Sequence, residues 1–161
     1  DWFGIDHTQA SMAILVNTRS KNEEANIVVF SGNPLIHDDY RYLINAQAGE
    51  LDVVSSAPGV FPESTFLTLS DAGAVTKIER LRASSEQPEG TPVLSDDRLH
   101  ELGSLFWSIL QTFPPPSHPP GFRLLTDTEW KILSDGRLII KQMRPICLST
   151  STESTLGVEW H

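Results

Sequence analysis

The chain has 161 residues, enough for one domain with a real core or for part of a larger one, and 12 Lys and Arg against 21 Asp and Glu give it a formal net charge of −9. That balance repels a phosphate backbone and, with no local basic patch to override it, argues against nucleic-acid binding. No run approaches the ~20 apolar residues of a membrane-spanning helix, and a single cysteine, Cys147, closes no internal disulfide, which points to a reducing compartment and hence the cytoplasm.

The sequence opens on Asp1 with no charged and apolar leader visible, so it reads as a piece of a longer protein. In chain order, "MAILVNTR" (12–19) and "ANIVVFSG" (25–32) predict two strands joined through polar "SKNEE". "YRYLINAQAGE" continues the strand texture to Glu50, and "SSAPGVFPES" breaks it as a loop. "TFLTLSDAGAVTKIERL" predicts two short strands around a turn at Ser70 to Gly73.

One amphipathic helix is predicted between Asp96 and Phe113, because Leu99, Leu102, Phe106, Ile109, Leu110 and Phe113 recur at three- and four-residue steps, with Ser95 or Asp96 as its cap. "PPPSHPP" ends it, since proline lacks the amide donor and clashes with the preceding turn. Residues 114–122 then read as a surface loop, two further strands follow, and residues 149–161 read as a polar tail or the start of a linker. Cys147 has the character of a small buried hydrophobe. His7, His37, His100, His118 and His161 match no catalytic motif and read as surface or packing residues.

The last two strands reward arithmetic. Ser134-Asp135-Gly136-Arg137 holds the Asp-Gly pair that favours a two-residue primed turn, so directly opposed residues should have numbers summing to 271. Glu129 then faces Gln142 and Asp127 faces Arg144, all four on one face. The same register sets Trp130 opposite Lys141 and Ile132 opposite Ile139 on the other face, where Trp130, Ile132, Ile139 and Met143 look like packing residues. Carboxylate and amide oxygens grouped this way suit a divalent cation, and the guanidinium beside them suits a phosphate oxygen. The plainer reading is an exposed Asp127–Arg144 ion pair with Glu129 and Gln142 solvated beside it.

"LSDDRLHELGSLFWSILQTF" followed, after a gap, by "DTEWKILSDGRLIIKQMRPI" resembles the end of the ATP-binding domain of phosphoenolpyruvate synthases and pyruvate, phosphate dikinases. In that family a helix precedes an Asp-x-Glu-[Trp/Phe] strand, a turn with Asp-Gly, and a Gln-x-Arg-Pro strand. Upstream, "SMAILVNTRSKNEEANIVVFSGNP" and "AQAGELDVVSSAPGVFPES" are similar to the family's hairpin and its Gly-Glu-x-Val-Val segment, so the resemblance runs from about Ser11 to Ile146.

The resemblance implies an ATP-grasp-type site binding ATP and Mg²⁺. By motif position Glu129 and Gln142 would be metal or phosphate-side ligands, Arg144 the catalytic cation at the transferring phosphoryl group, and Asp127 a supporting, nucleotide-binding carboxylate. The family's first ATP-binding subdomain and its phosphorylated-histidine domain are absent from these residues and would have to act in cis or in trans.

The expected architecture is α+β: a mainly antiparallel sheet with one main amphipathic helix, forming the C-terminal part of an ATP-grasp-type domain over residues 1–148. The expected function is part of an ATP-dependent phosphotransferase that passes phosphoryl to a histidine on another domain, this chain alone being inactive. The alternative is a degenerate, non-catalytic binding or scaffolding module derived from that domain.

Overall fold

A computed structural model describes residues 22–51, 53, 57–117 and 120–149. Six strands, β1 (Glu23–Phe30), β2 (Tyr42–Ala48), β3 (Glu63–Leu69), β4 (Val75–Arg82), β5 (Phe122–Leu133) and β6 (Leu138–Ser149), form one sheet, and one helix, α1 (Asp96–Thr112), lies between β4 and β5 in sequence. The strand order is β4-β3-β2-β1-β5-β6 with every neighbouring pair antiparallel. This is the expected α+β sheet with a single amphipathic helix. The predicted strand at 12–19 lies outside the described residues, as does the tail predicted at 149–161 except for Ser149, which ends β6, and part of the polar "SKNEE" stretch, Glu23 and Glu24, already belongs to β1.

The period-two pattern explains which sheet face is buried. Ala25, Ile27 and Val29 of β1 pair with Ile132, Trp130 and Thr128 of β5 on one side and with Ala48, Ala46 and Ile44 of β2 on the other. All project to the side covered by α1. There Leu99, Leu102 and Phe106 of the helix complete a core with Ile27, Val29, Ile44, Leu67 and Trp130. Tyr42 meets Phe106 edge-on, ring centroids 5.1 Å apart. Gly103 is buried because a Cβ there would come within 2.6 Å of Val75, so the glycine lets the helix sit close on the β3–β4 half of the sheet. Of the predicted apolar helix face, Phe113 is the exception: it is the C-cap, 60% exposed, and the prolines follow at once.

On this side Thr65 Oγ1 is buried without a hydrogen-bond partner among the described residues, while the buried tips of Trp130 and Thr128 find partners. Trp130 Nε1 donates to Thr128 Oγ1 at 2.8 Å, and Thr128 Oγ1 donates to the Val29 carbonyl at 3.1 Å. Ser95 caps the helix by accepting from the Arg98 amide, and Asp96 and Asp97 fill its first turn. Arg98 donates to the Gly136 carbonyl at 2.7 Å, tying the start of the helix to the β5–β6 turn.

Gly73 closes the β3–β4 turn at φ +79°, a conformation glycine adopts cheaply. A Cβ there would stand 2.3 Å from the indole of Trp107, so the turn and the helix meet through this residue.

Among the described strands β6 is an edge, and it is long, at 12 residues. Thr126 directs both backbone groups to Ser31 at the end of β1, donating to its Oγ at 2.8 Å and accepting from its amide at 3.0 Å. Its partner on β6, Pro145, therefore turns its backbone nitrogen outward. No ladder bond is lost, and the open edge lacks a donor where another strand would pair. Cys147 is exposed on this edge strand, contrary to the buried position expected from its chemistry. An edge strand has neighbours on one side only, and α1 packs over the opposite half of the sheet.

Candidate functional site

The β5–β6 hairpin turns in a way the Asp-Gly pair alone did not predict. The Gly136 amide donates to the Leu133 carbonyl and the Leu133 amide to the Arg137 carbonyl, and Gly136 alone adopts positive φ, at +79°. Three residues, Ser134, Asp135 and Gly136, thus form the loop in place of two, giving a type I turn closed by a glycine bulge. Near the turn the register sum becomes 270: Ile132 faces Leu138, Lys131 faces Ile139 and Trp130 faces Ile140. Leu138 rather than Ile139 packs against the core beside Ile132, and Ile139 lies on the other face.

A second irregularity restores the sum. Between Glu129 and Trp130 the pairing shifts by one, with Lys141 as the extra residue on β6, and beyond it Glu129 faces Gln142, Thr128 faces Met143 and Asp127 faces Arg144. The four site residues therefore come together as expected, although the expected register fails between the turn and Trp130. The bulge also re-aims Lys141. Expected opposite Trp130 on the helix side, it reaches Glu129, with Nζ 3.5 Å from Oε2. Lys141 is a fifth member of the cluster that the simple register missed; a glycine at the third position of a Ser-Asp-Gly loop was the signal for the longer turn.

The cluster lies on the face away from α1. There Phe30 of β1 stands beside Asp127, and Val28 beside Glu129. Because β5 is an inner strand, Asp127 is buried, its side chain 3% exposed, while its partner Arg144 at the edge keeps 55% exposure. The pair is thus not the exposed ion pair of the plainer reading. Arg144 Nε donates to Asp127 Oδ2 at 2.7 Å, and Asp127 Oδ1 is buried with no hydrogen-bond partner.

A buried carboxylate oxygen without a donor is costly, and a cation or donor beside it would remove that cost; Gln47 Nε2 and Thr65 Oγ1 are buried without partners as well. The geometry also holds Arg144 by one edge only. Its two terminal amino groups make no hydrogen bond among the described residues, leaving a fork suited to a planar or tetrahedral oxyanion. Glu129 is 30% exposed, and Gln142 is exposed with no hydrogen bond among the described residues.

The donors on this face are all hard oxygens: Asp127 Oδ1, the Glu129 carboxylate and the Gln142 amide. Among the described residues no group of three or more His, Cys, Asp or Glu side chains comes together as a self-sufficient metal cage. Magnesium does not require one, since it is commonly held by one or two carboxylates plus substrate phosphates and water. The accessible Glu129 and Gln142 oxygens, with the enclosed Asp127 carboxylate behind them, therefore fit a magnesium ion delivered with a polyphosphate.

His37 and His100 are exposed, as expected; His37 Nδ1 lies 2.7 Å from the Asp38 carboxylate. His7, His118 and His161 are outside the described residues. No described helix is long and apolar enough to cross a membrane. No protein-family model matches the chain, and no curated protein matches it either.

Proposed function

We propose that the β5–β6 face is the phosphate end of a nucleotide site, and that the chain is part of an ATP-dependent phosphotransferase of the phosphoenolpyruvate synthase or pyruvate, phosphate dikinase type. The observation that carries this reading is the pairing of Asp127 with Arg144 and of Glu129 with Gln142 on one face, with Oδ1 of Asp127 lacking a donor and the Arg144 fork unoccupied.

In this reading Asp127 fixes the guanidinium through Nε, so that its outer amino groups meet the phosphoryl oxygens without further ordering. Glu129 and Gln142 supply oxygens toward Mg²⁺, which when bound neutralises phosphate charge. Phe30 and Leu43, in the same row across the sheet as Asp127, provide apolar surface for the less polar part of the ligand. The phosphoryl acceptor would be a histidine on another domain, and the missing ATP-binding subdomain would close the other side of the site. With one cysteine in the sequence, the cytoplasm is the fitting compartment.

A second reading is a non-catalytic module, and one observation favours it: Lys141 already supplies a cation to Glu129. Titrating Mg-ATP into the isotopically labelled chain and following backbone amides decides between them. Saturable shifts centred on residues 127–129 and 141–144 are expected, with affinity reduced roughly tenfold or more in Glu129→Ala and Arg144→Ala. If no amide moves at millimolar nucleotide, while the same titration on an N-terminally extended chain is equally silent, the nucleotide reading fails and the module reading stands.

A further inference from the structure

On the helix side of the sheet, a groove of about 470 Å³ lies between the start of β2, the β3–β4 turn and α1. Tyr40, Tyr42 and Trp107 give it aromatic walls, with Thr68 and Asp71 at its rim. The packing of Trp107 on Gly73 uses the Cγ–Cδ2–Cε3 side of the indole. Its Nε1–H donates to no acceptor among the described residues, and neither hydroxyl of Tyr40 and Tyr42 has a partner there. Burial pushes the Tyr42 phenol up to about 12, so it stays a neutral donor over the whole physiological range. Flat aromatic walls tipped with unspent N–H and O–H donors are the recognition chemistry of grooves that bind polyproline II segments, which present rings and carbonyl acceptors but no amide donors.

The same chain carries such a segment. Pro114, Pro115, Pro116 and Ser117 leave the end of α1 exposed, and their backbone makes no hydrogen bond among the described residues. Three successive prolines fix an extended left-handed helix at low entropic cost and cannot join a strand ladder. An acceptor-only segment and a groove with donors to spare are complementary in hydrogen-bond polarity, and among the described residues neither has a hydrogen-bond partner.

We propose that the groove lined by Tyr40, Tyr42 and Trp107 is a polyproline-binding site whose occupant is the Pro114–Ser117 segment of a second copy of this chain. The contact joins two different patches and is therefore heterologous, so it either closes a ring or extends as a chain of copies. It uses none of the Asp127–Arg144 cluster residues, although Tyr40 also stacks on Arg123 of β5.

Two measurements test it. A synthetic peptide with the sequence of residues 114–120 is titrated into the labelled chain. The expected result is saturable movement of the Trp107 indole N–H and of the amides at 40–42 and 68–71. Those shifts should weaken at least fivefold in Trp107→Phe, which keeps a ring on Gly73 but removes the donor, and in Tyr42→Phe, which keeps the ring against Phe106 and removes only the hydroxyl. A peptide with its prolines changed to alanine should not bind. In parallel, sedimentation of the intact chain should show mass rising with concentration, and the triple variant Pro114→Ser, Pro115→Ser, Pro116→Ser should remain monomeric. No shift at millimolar peptide, shifts indifferent to both variants, or identical sedimentation of the triple variant and the parent would each overturn the proposal.

Discussion

Replacing Arg123 with methionine should lower stability by about 3 kcal/mol and release the loop between β1 and β2. The expectation rests on Arg123, a residue only 8% exposed, whose guanidinium has no carboxylate partner among the described residues and instead gathers backbone carbonyls. Its Nη1 donates to Ile36 at 3.0 Å and also reaches the carbonyls of His37 and Asn33, and its Nη2 donates to Asp39 at 2.9 Å. Tyr40 covers the group, its ring centroid 4.7 Å from the guanidinium carbon.

A carbonyl cage holds a cation because each oxygen carries partial negative charge, and removing the cation leaves several acceptors facing one another. Methionine keeps the aliphatic stem, so the loss isolates the polar contacts. Lysine should not rescue, because one ammonium cannot reach the spread of oxygens that the planar fork spans. Gly32 confirms the tightness, since a Cβ there would stand 2.1 Å from Nη2. Urea unfolding measures the loss, and hydrogen exchange at the Asn33 and Asp39 amides, which bond within the loop, reports its release.

Acid should loosen the same loop without any mutation. Arg41 holds the Asp39 carboxyl far below the usual carboxylate range through paired hydrogen bonds; burial opposes this, and Asn33 assists. A depressed folded-state value means the stabilisation is complete above the unfolded value near 4 and is lost as pH falls below it. Asp39→Asn should flatten this part of the acid limb of a stability–pH profile.

Glu63→Gln should lower stability by about 2–3 kcal/mol, a loss out of proportion to a one-atom change. The Glu63 side chain is 4% exposed and spends both oxygens: Oε1 accepts from Arg80 at 2.9 Å and Oε2 from the Val93 amide at 2.7 Å. A glutamine can satisfy Val93 only by turning its NH₂ toward Arg80, donor against donor. Arg80 also donates to the Leu94 carbonyl, so the chain entering α1 is pinned to β3 and β4 through this one carboxylate. Asp96 touches the same arginine at 2.6 Å but is 68% exposed, and Asp96→Asn should change stability by less than about 0.5 kcal/mol. Thermal unfolding of the two variants side by side separates a buried joint from a solvated one.

The sequence carried the helix and most strands because their apolar spacing is set by the same burial that the structure shows, from Leu99 to Phe106 and from Ile27 to Trp130. It carried the Asp127–Arg144 and Glu129–Gln142 pairs through turn chemistry and arithmetic. What it did not carry depends on contacts between distant segments. Strand order is one such property, and it decides that β6 is an edge and Cys147 exposed. The cage around Arg123 is another, because backbone carbonyls leave no trace in side-chain pattern. The position of Lys141 required knowing that a bulge follows the turn, and period-two reasoning is blind to a single unpaired residue.

The turn and the bulge behave as a pair of compensating frameshifts. The loop takes one residue more than the shortest hairpin, the bulge returns it, and only between the two is the strand out of phase. Loss of either irregularity alone would swing the residues from 142 onward to the opposite side and separate Asp127 from Arg144, whereas loss of both together would leave their pairing intact. Length variation in this hairpin is therefore constrained in parity rather than in amount, and the face that gathers Asp127, Glu129, Gln142 and Arg144 is protected by a count of residues as much as by their identities.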